Sequence, residues 1–197
     1  MREGYEALGG AFPPGDDWSC QRENIRGIPG ELSHCGGAAR NIVLYLHGGG
    51  YVIGSLVTHR GLVANIARAT GGKVLAIDYR LAPEHPFPAP LDDCARVFAG
   101  LIARGDARIA LGGQSAGAGL AAGLAQRLLD EGGPQPIAQL LDCPMLDDRT
   151  AADAARDDEA HFVWDNRENR LGWRSLLGQE PGAPSAPAHA VPARRAD

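Results

Sequence analysis

Four short apolar runs, each followed by turn residues and separated from the next by a helical stretch, limit what this chain can become. Ile42-Val43-Leu44-Tyr45-Leu46 ends in His47 and three glycines, and Val74 to Ile77, Ile109 to Leu111 and Ile137 to Leu141 follow it. Runs this short, without polar alternation, suit strands buried on both faces. Between them Leu62, Val63, Ile66 and Ala67 recur at helical spacing and stop at Gly71-Gly72. Leu91, Cys94, Phe98, Leu101 and Ile102 do the same and stop at Gly105, and Leu120, Leu124 and Leu128 stop at Gly132-Gly133. These are the stripes of helices that cover a sheet. Alternation sustained in this way predicts an α/β fold: a mostly parallel sheet with helices on both faces.

The remainder divides around that core, taken as residues 41–148. Residues 1–40 carry little pattern. Pro13, Pro14, Gly15, Gly30, Gly36 and Gly37 punctuate them, and only Asn24 to Ile28 reads as a short strand. Residues 149–180 read as an amphipathic, cap-like helical region with Phe162, Val163, Trp164, Leu171, Trp173, Leu176 and Leu177. Residues 181–197 form an Ala/Pro-rich tail whose composition reads as linker or disorder. There is no internal repeat.

Composition removes several function classes. The 197 residues fit one domain. A net charge of −5 disfavours a phosphate-backbone partner, so no nucleic acid is expected. No run approaches the ~20 apolar residues of a membrane span, and Met1-Arg2-Glu3-Gly4-Tyr5 leads into no signal-like apolar region. Cys20, Cys35, Cys94 and Cys143 are scattered, which argues against a disulfide framework or zinc site and makes the cytoplasm the expected compartment. The six histidines match no metal-ligand spacing, and no cofactor is expected.

Two glycine-rich stretches carry the chemistry. Gly113-Gln114-Ser115-Ala116-Gly117 lies between the third apolar run and the helix that follows. The pattern G-x-S-x-G at a strand-to-helix turn is a nucleophile elbow. The tight turn projects the serine hydroxyl at the carboxyl end of the sheet. The N–H of Ala116 then sits at a helix N-terminus, where developing negative charge is favoured. The bland reading is a small-residue helix start packing closely on the sheet. His47-Gly48-Gly49-Gly50 closes the first apolar run. Its glycines let backbone N–H groups approach a ligand, as an oxyanion hole requires. A plain glycine turn is the alternative there. A dinucleotide loop fits less well, because Gly48 to Gly54 spells G-x-G-x-x-x-G and no G-K-[ST] follows.

Taken together with Asp78-Tyr79-Arg80-Leu81-Ala82-Pro83-Glu84-His85-Pro86-Phe87-Pro88-Ala89, these stretches resemble the hormone-sensitive-lipase-like esterases of the α/β-hydrolase fold. The resemblance runs in order from about residue 24 to 197. It implies a carboxylic ester hydrolase acting through an acyl-serine on small or short-acyl esters. Ser115 corresponds to the nucleophile, and Gly48, Gly49 and Ala116 to the oxyanion hole. The resemblance makes His47 structural rather than the catalytic base. Phe162, Trp164, Leu171, Trp173 and Leu177 would roof the acyl pocket.

The sequence departs from the family pattern at Gln114, where an acid is usual, and at Ala118, where a further glycine is usual. The larger departure is at the end. The family places its acid and its histidine on later strands, so the chain reads as an incomplete, C-terminally truncated hydrolase. Asp147, Asp148, His161 and His189 are the internal candidates to replace them, and a loop pair, a cap residue and a tail residue are their plainer readings. The rival function is a non-catalytic remnant or interaction module. A sheet that stops at its fourth parallel strand would expose an apolar edge open to self-association.

Overall fold

The structure is a computed structural model that describes residues 2–36, 41–159 and 161–196. Gly37, the 40/41 boundary and the last residue of the tail lie outside the described residues. Helix α1 (Arg2–Leu8) precedes an antiparallel hairpin of β1 (Ser19–Ile25) and β2 (Ile28–His34). Then come β3 (Ile42–Leu46), α2 (Leu56–Thr70), β4 (Lys73–Ile77), α3 (Ala89–Arg104), β5 (Ile109–Gln114), α4 (Ala116–Asp130) and β6 (Gln139–Asp142). Helices α5 (Arg149–Ala152) and α6 (Asn166–Leu177) follow.

The strands form one sheet in the order β1-β2-β4-β3-β5-β6. β4, β3, β5 and β6 run parallel, and β2 joins β4 antiparallel. The sheet is therefore mostly parallel. Its inner strands alternate between two apolar layers. Val43 and Tyr45 pack with Val63, Ala67, Val74 and Ala76 under α2. Leu44, Leu46, Leu75, Ile77 and Leu111 pack with the residues of α3 and α4 on the other face. Burial on both faces explains why these strands read as unbroken apolar runs. The chain winds from β3 out to β4 and then crosses to β5 on the other side of β3. The connections therefore leave in opposite directions at the carboxyl ends of β3 and β5, the crevice where open α/β sheets bind ligands.

Three expectations change. The expected strand Asn24 to Ile28 straddles a hairpin turn, with Arg26 at φ 52° and Gly27 at φ 88°. The Gly27 N–H donates to Asn24 Oδ1 at 2.9 Å. Two consecutive positive-φ residues match the strand twist. The fourth run bonds to β5 from its start, with the Ile137 N–H donating to Ile109 O, but it is not buried on both faces as expected: Ile137 is 48% exposed and Leu140 50%. The tail is packed rather than a loose linker. Ala190 and Val191 are buried, and the Ala193 N–H donates to Leu146 O at 3.0 Å. The tail also folds back on β6's exit loop, where Arg194 grips the fully buried Asp148 through Nε (2.7 Å) and Nη2 (2.8 Å).

Candidate active site

The elbow is built by crowding. Ser115 stands between β5 and α4 at φ 54°, ψ −116°, a backbone conformation that costs energy in a non-glycine residue. Its surroundings hold it there. The Ser115 N–H donates to Asp142 O at 2.8 Å. Its carbonyl accepts from the Gly119 N–H at 3.1 Å and the Met145 N–H at 3.0 Å. The two motif glycines face each other across the turn. A methyl group on Gly113 would overlap the Gly117 backbone, and one on Gly117 would overlap the carbonyls of Leu46 and His47. Small residues are thus required where the helix start crosses the end of β3. Gln114 replaces the usual acid without leaving the elbow unbraced, since its Nε2 donates to Asp142 Oδ2 at 3.1 Å.

The glycine loop lies against this elbow. A Cβ on Gly48 would stand 3.1 Å from Gln114 O and 3.5 Å from Ser115 Cβ. The loop is anchored from two sides. Tyr79 Oη donates to His47 O at 2.7 Å, and its ring stacks on the His47 imidazole at 4.3 Å. Below it, Arg80 pairs with Asp93 of α3 through Nε (2.9 Å) and Nη2 (2.8 Å). The stretch Asp78 to Ala89 therefore braces the loop rather than touching a reacting group.

His59 supplies the second anchor, and it revises one site expectation. The Gly48 N–H donates to His59 Nε2 at 3.1 Å in a buried position. His59 Nδ1 sits 2.8 Å from Thr58 Oγ1, whose hydroxyl donates to Ser55 O. The imidazole accepts at Nε2, so it carries its proton at Nδ1. Gly48 is thus engaged by a side chain and does not fit the expected oxyanion role. The N–H groups of Gly49 and Gly50 donate to no backbone carbonyl among the described residues. Sequence reasoning missed His59 because its role depends on α2 folding back over the loop. Its position beside the capping pair Ser55–Thr58 was the only available signal.

His47 is no base for Ser115. Its Nδ1–H donates to Gly48 O at 2.8 Å, and its Nε2 is buried without a partner among the described residues. Burial pushes its pKa down to about 4, so the ring is neutral. The other candidates are committed elsewhere. His189 Nε2 pairs with Asp130 Oδ2 at 2.7 Å, and His161 lies 3.5 Å from Glu159. Asp147 pairs with Arg149, which holds its carboxyl below the usual range, and Asp148 pairs with Arg194. No described hydrogen bond joins any of these four to Ser115. Among the described residues no group of three or more His, Cys, Asp or Glu could hold a metal.

A sequence profile for the alpha/beta hydrolase fold matches residues 43–197. The chain belongs to the α/β-hydrolase fold family. Within it, its likeness is to the hormone-sensitive-lipase kind of esterase. An acetyl-hydrolase of Streptomyces hygroscopicus is 39% identical over 158 residues, which are 75% of this chain and 51% of that protein. Esterase LipI of Mycobacterium tuberculosis is 38% identical over 160 residues, 76% of this chain and 50% of that one. Among solved structures, an esterase from the bacterial hormone-sensitive lipase family superposes with a TM-score of 0.81 at 39% identity, over 97% of this chain and 65% of its own. A bacterial heroin esterase superposes with a TM-score of 0.87 at 31% identity, over 100% and 68%. This α/β-hydrolase spans about half the length of the curated relatives it matches.

Proposed function

We propose that this chain carries the nucleophile and oxyanion half of a serine carboxylesterase for small or short-acyl esters. Ser115 Oγ forms the bond to the ester carbonyl carbon while its proton passes to a base. The N–H groups of Gly49, Gly50 and Ala116 receive the developing oxyanion. The bond to the alcohol oxygen breaks and the alcohol leaves with the proton. Water then releases the acid from the acyl-serine and restores the hydroxyl. The observation that carries this reading is the strained Ser115 held beside the glycine loop by β3 and β5. The relatives' names, esterase and acetyl-hydrolase, favour ester hydrolysis over an interaction module.

The described residues supply no base at Ser115, so in this chain the serine proton passes to solvent water and the serine-dependent rate is slow. No described helix is long and apolar enough to cross a membrane. The four free cysteines support a reducing, cytoplasmic setting. The test is hydrolysis of p-nitrophenyl acetate and butyrate by the chain and by Ser115→Ala. A slow serine-dependent rate is expected. Equal rates in the two proteins would remove Ser115 from the reaction.

A further inference from the structure

The Gly48 peptide is held between two imidazoles that use it in opposite ways. His47 Nδ1–H donates to Gly48 O at 2.8 Å, and His59 Nε2 accepts from the Gly48 N–H at 3.1 Å. A charged imidazole is a donor at both nitrogens. Protonating His47 therefore leaves its bond in place. Protonating His59 turns its acceptor into a donor aimed at another donor. The His59 ring cannot hold the loop and carry a charge at once.

The surroundings of His59 bring the charged form within reach. The residue is 4% exposed, yet it lines a cavity of about 510 Å³ between α1 and α2, together with Tyr5 and Gln114. Gln114 offers the charged ring a new partner. Its amide nitrogen is committed to Asp142 at 3.1 Å, and its Oε1 lies 3.4 Å from where a Cβ on Gly48 would stand. The other groups facing the ring are Thr58 at Nδ1, the Ser55 backbone, Tyr5 and Glu6 of α1, and the rings of Tyr45 and His47, centred 6.3 and 5.5 Å away. Burial holds the pKa below the ordinary 6.5, while Ser55, Gln114 and Glu6 pull it back up. We infer that His59 is the positioning residue of the oxyanion loop, and that its protonation moves Nε2 from the Gly48 N–H to Gln114 Oε1 and releases the donors at Gly49 and Gly50. The inference rests on the esterase reading for what the loop receives, but the exchange of partners needs no substrate.

The experiment follows the backbone N–H signals of Gly48, Gly49 and Gly50 and the ring nitrogens of His59 by NMR on the whole chain, from about pH 7.5 to 4.5. The Gly48 signal should move with the midpoint of His59, with Gly49 and Gly50 following. His59→Gln supplies an uncharged acceptor at every pH, so its Gly48 signal should stay flat. Gln114→Glu places a carboxylate beside the ring and should raise the shared midpoint by about one pH unit. A Gly48 midpoint that departs from that of His59, the same pH response in a folded His59→Gln protein, or an unmoved midpoint in Gln114→Glu would overturn the assignment. In p-nitrophenyl acetate hydrolysis corrected by Ser115→Ala, the ratio of parent to His59→Gln rates should fall at least roughly tenfold across that midpoint, since one oxyanion donor is worth about 10²–10³-fold. A constant ratio would also overturn it. A coupled Gly48–His59 transition without serine-dependent hydrolysis would keep the loop lock and reject the esterase reading instead.

Discussion

At Ser115 the backbone is held in a costly conformation by contacts that tolerate no extra atom. Gly117→Ala would press a methyl group into the carbonyls of Leu46 and His47. We expect it to cost about 1–3 kcal/mol or more in urea unfolding, as overpacking does, and to abolish any serine-dependent hydrolysis. His59→Ala would leave the buried Gly48 N–H without an acceptor, a loss of about 1–3 kcal/mol measurable in the same way. His47 gives a pH signature. Its folded pKa of about 4 lies below the ordinary value of 6.5, so at intermediate pH the unfolded chain binds the extra proton. Its contribution is complete above about pH 6.5 and is lost as pH falls toward 4, on the order of 3 kcal/mol in all. Unfolding free energies measured between pH 7 and 4 should show that decline, and a flat profile would contradict it.

Helix α6 shows what local sequence can and cannot announce. Asp165 accepts from the N–H groups of Arg167 and Glu168, and Glu168 reaches back to the Asp165 N–H at 3.0 Å. Asp165→Ala should cost about 1 kcal/mol and lower helical content by circular dichroism. This helix, like α2, α3 and α4, was legible because one apolar stripe faces the core. The inner strands were legible because both of their faces are covered. The hairpin β1–β2 was not. β1 is a polar edge strand, and the buried Glu31 in β2 is acceptable only because Arg60 of α2 grips it. Within the region 149–180, read as amphipathic and helical, the described helices are α5 and α6, with a 3₁₀ turn at Ala154–Arg156 following α5. At the site, the serine and the glycine loop could be read directly. The choice among the loop's donors could not, because it turns on His59 arriving from the next element.

For the molecule as a whole, the Arg194–Asp148 pair ties the tail to the rim of the sheet. Asp148 is fully buried, and it also accepts from the Gly182 N–H at 2.8 Å. Arg194→Ala would strand a buried carboxylate, and we expect a loss of about 3–5 kcal/mol in urea unfolding. An Ala/Pro-rich composition hides such a clamp, since two adjacent arginines among small residues give no sequence signal of their partners. The outer side of β6 poses the opposite problem. Leu140 is 50% exposed and Leu129 59%, and among the described residues β6 pairs only with β5. We expect concentration-dependent self-association through this edge, reduced by Leu140→Lys in analytical ultracentrifugation. The parallel strands also have a practical consequence. Because β3 and β5 both end at the serine, the turns that feed β5 and β6 emerge at the far pole of the molecule. Exposed Gly105 and Gly132 lie on those turns. A dye, affinity handle or solid support attached at either would leave the reactive pole facing open solution.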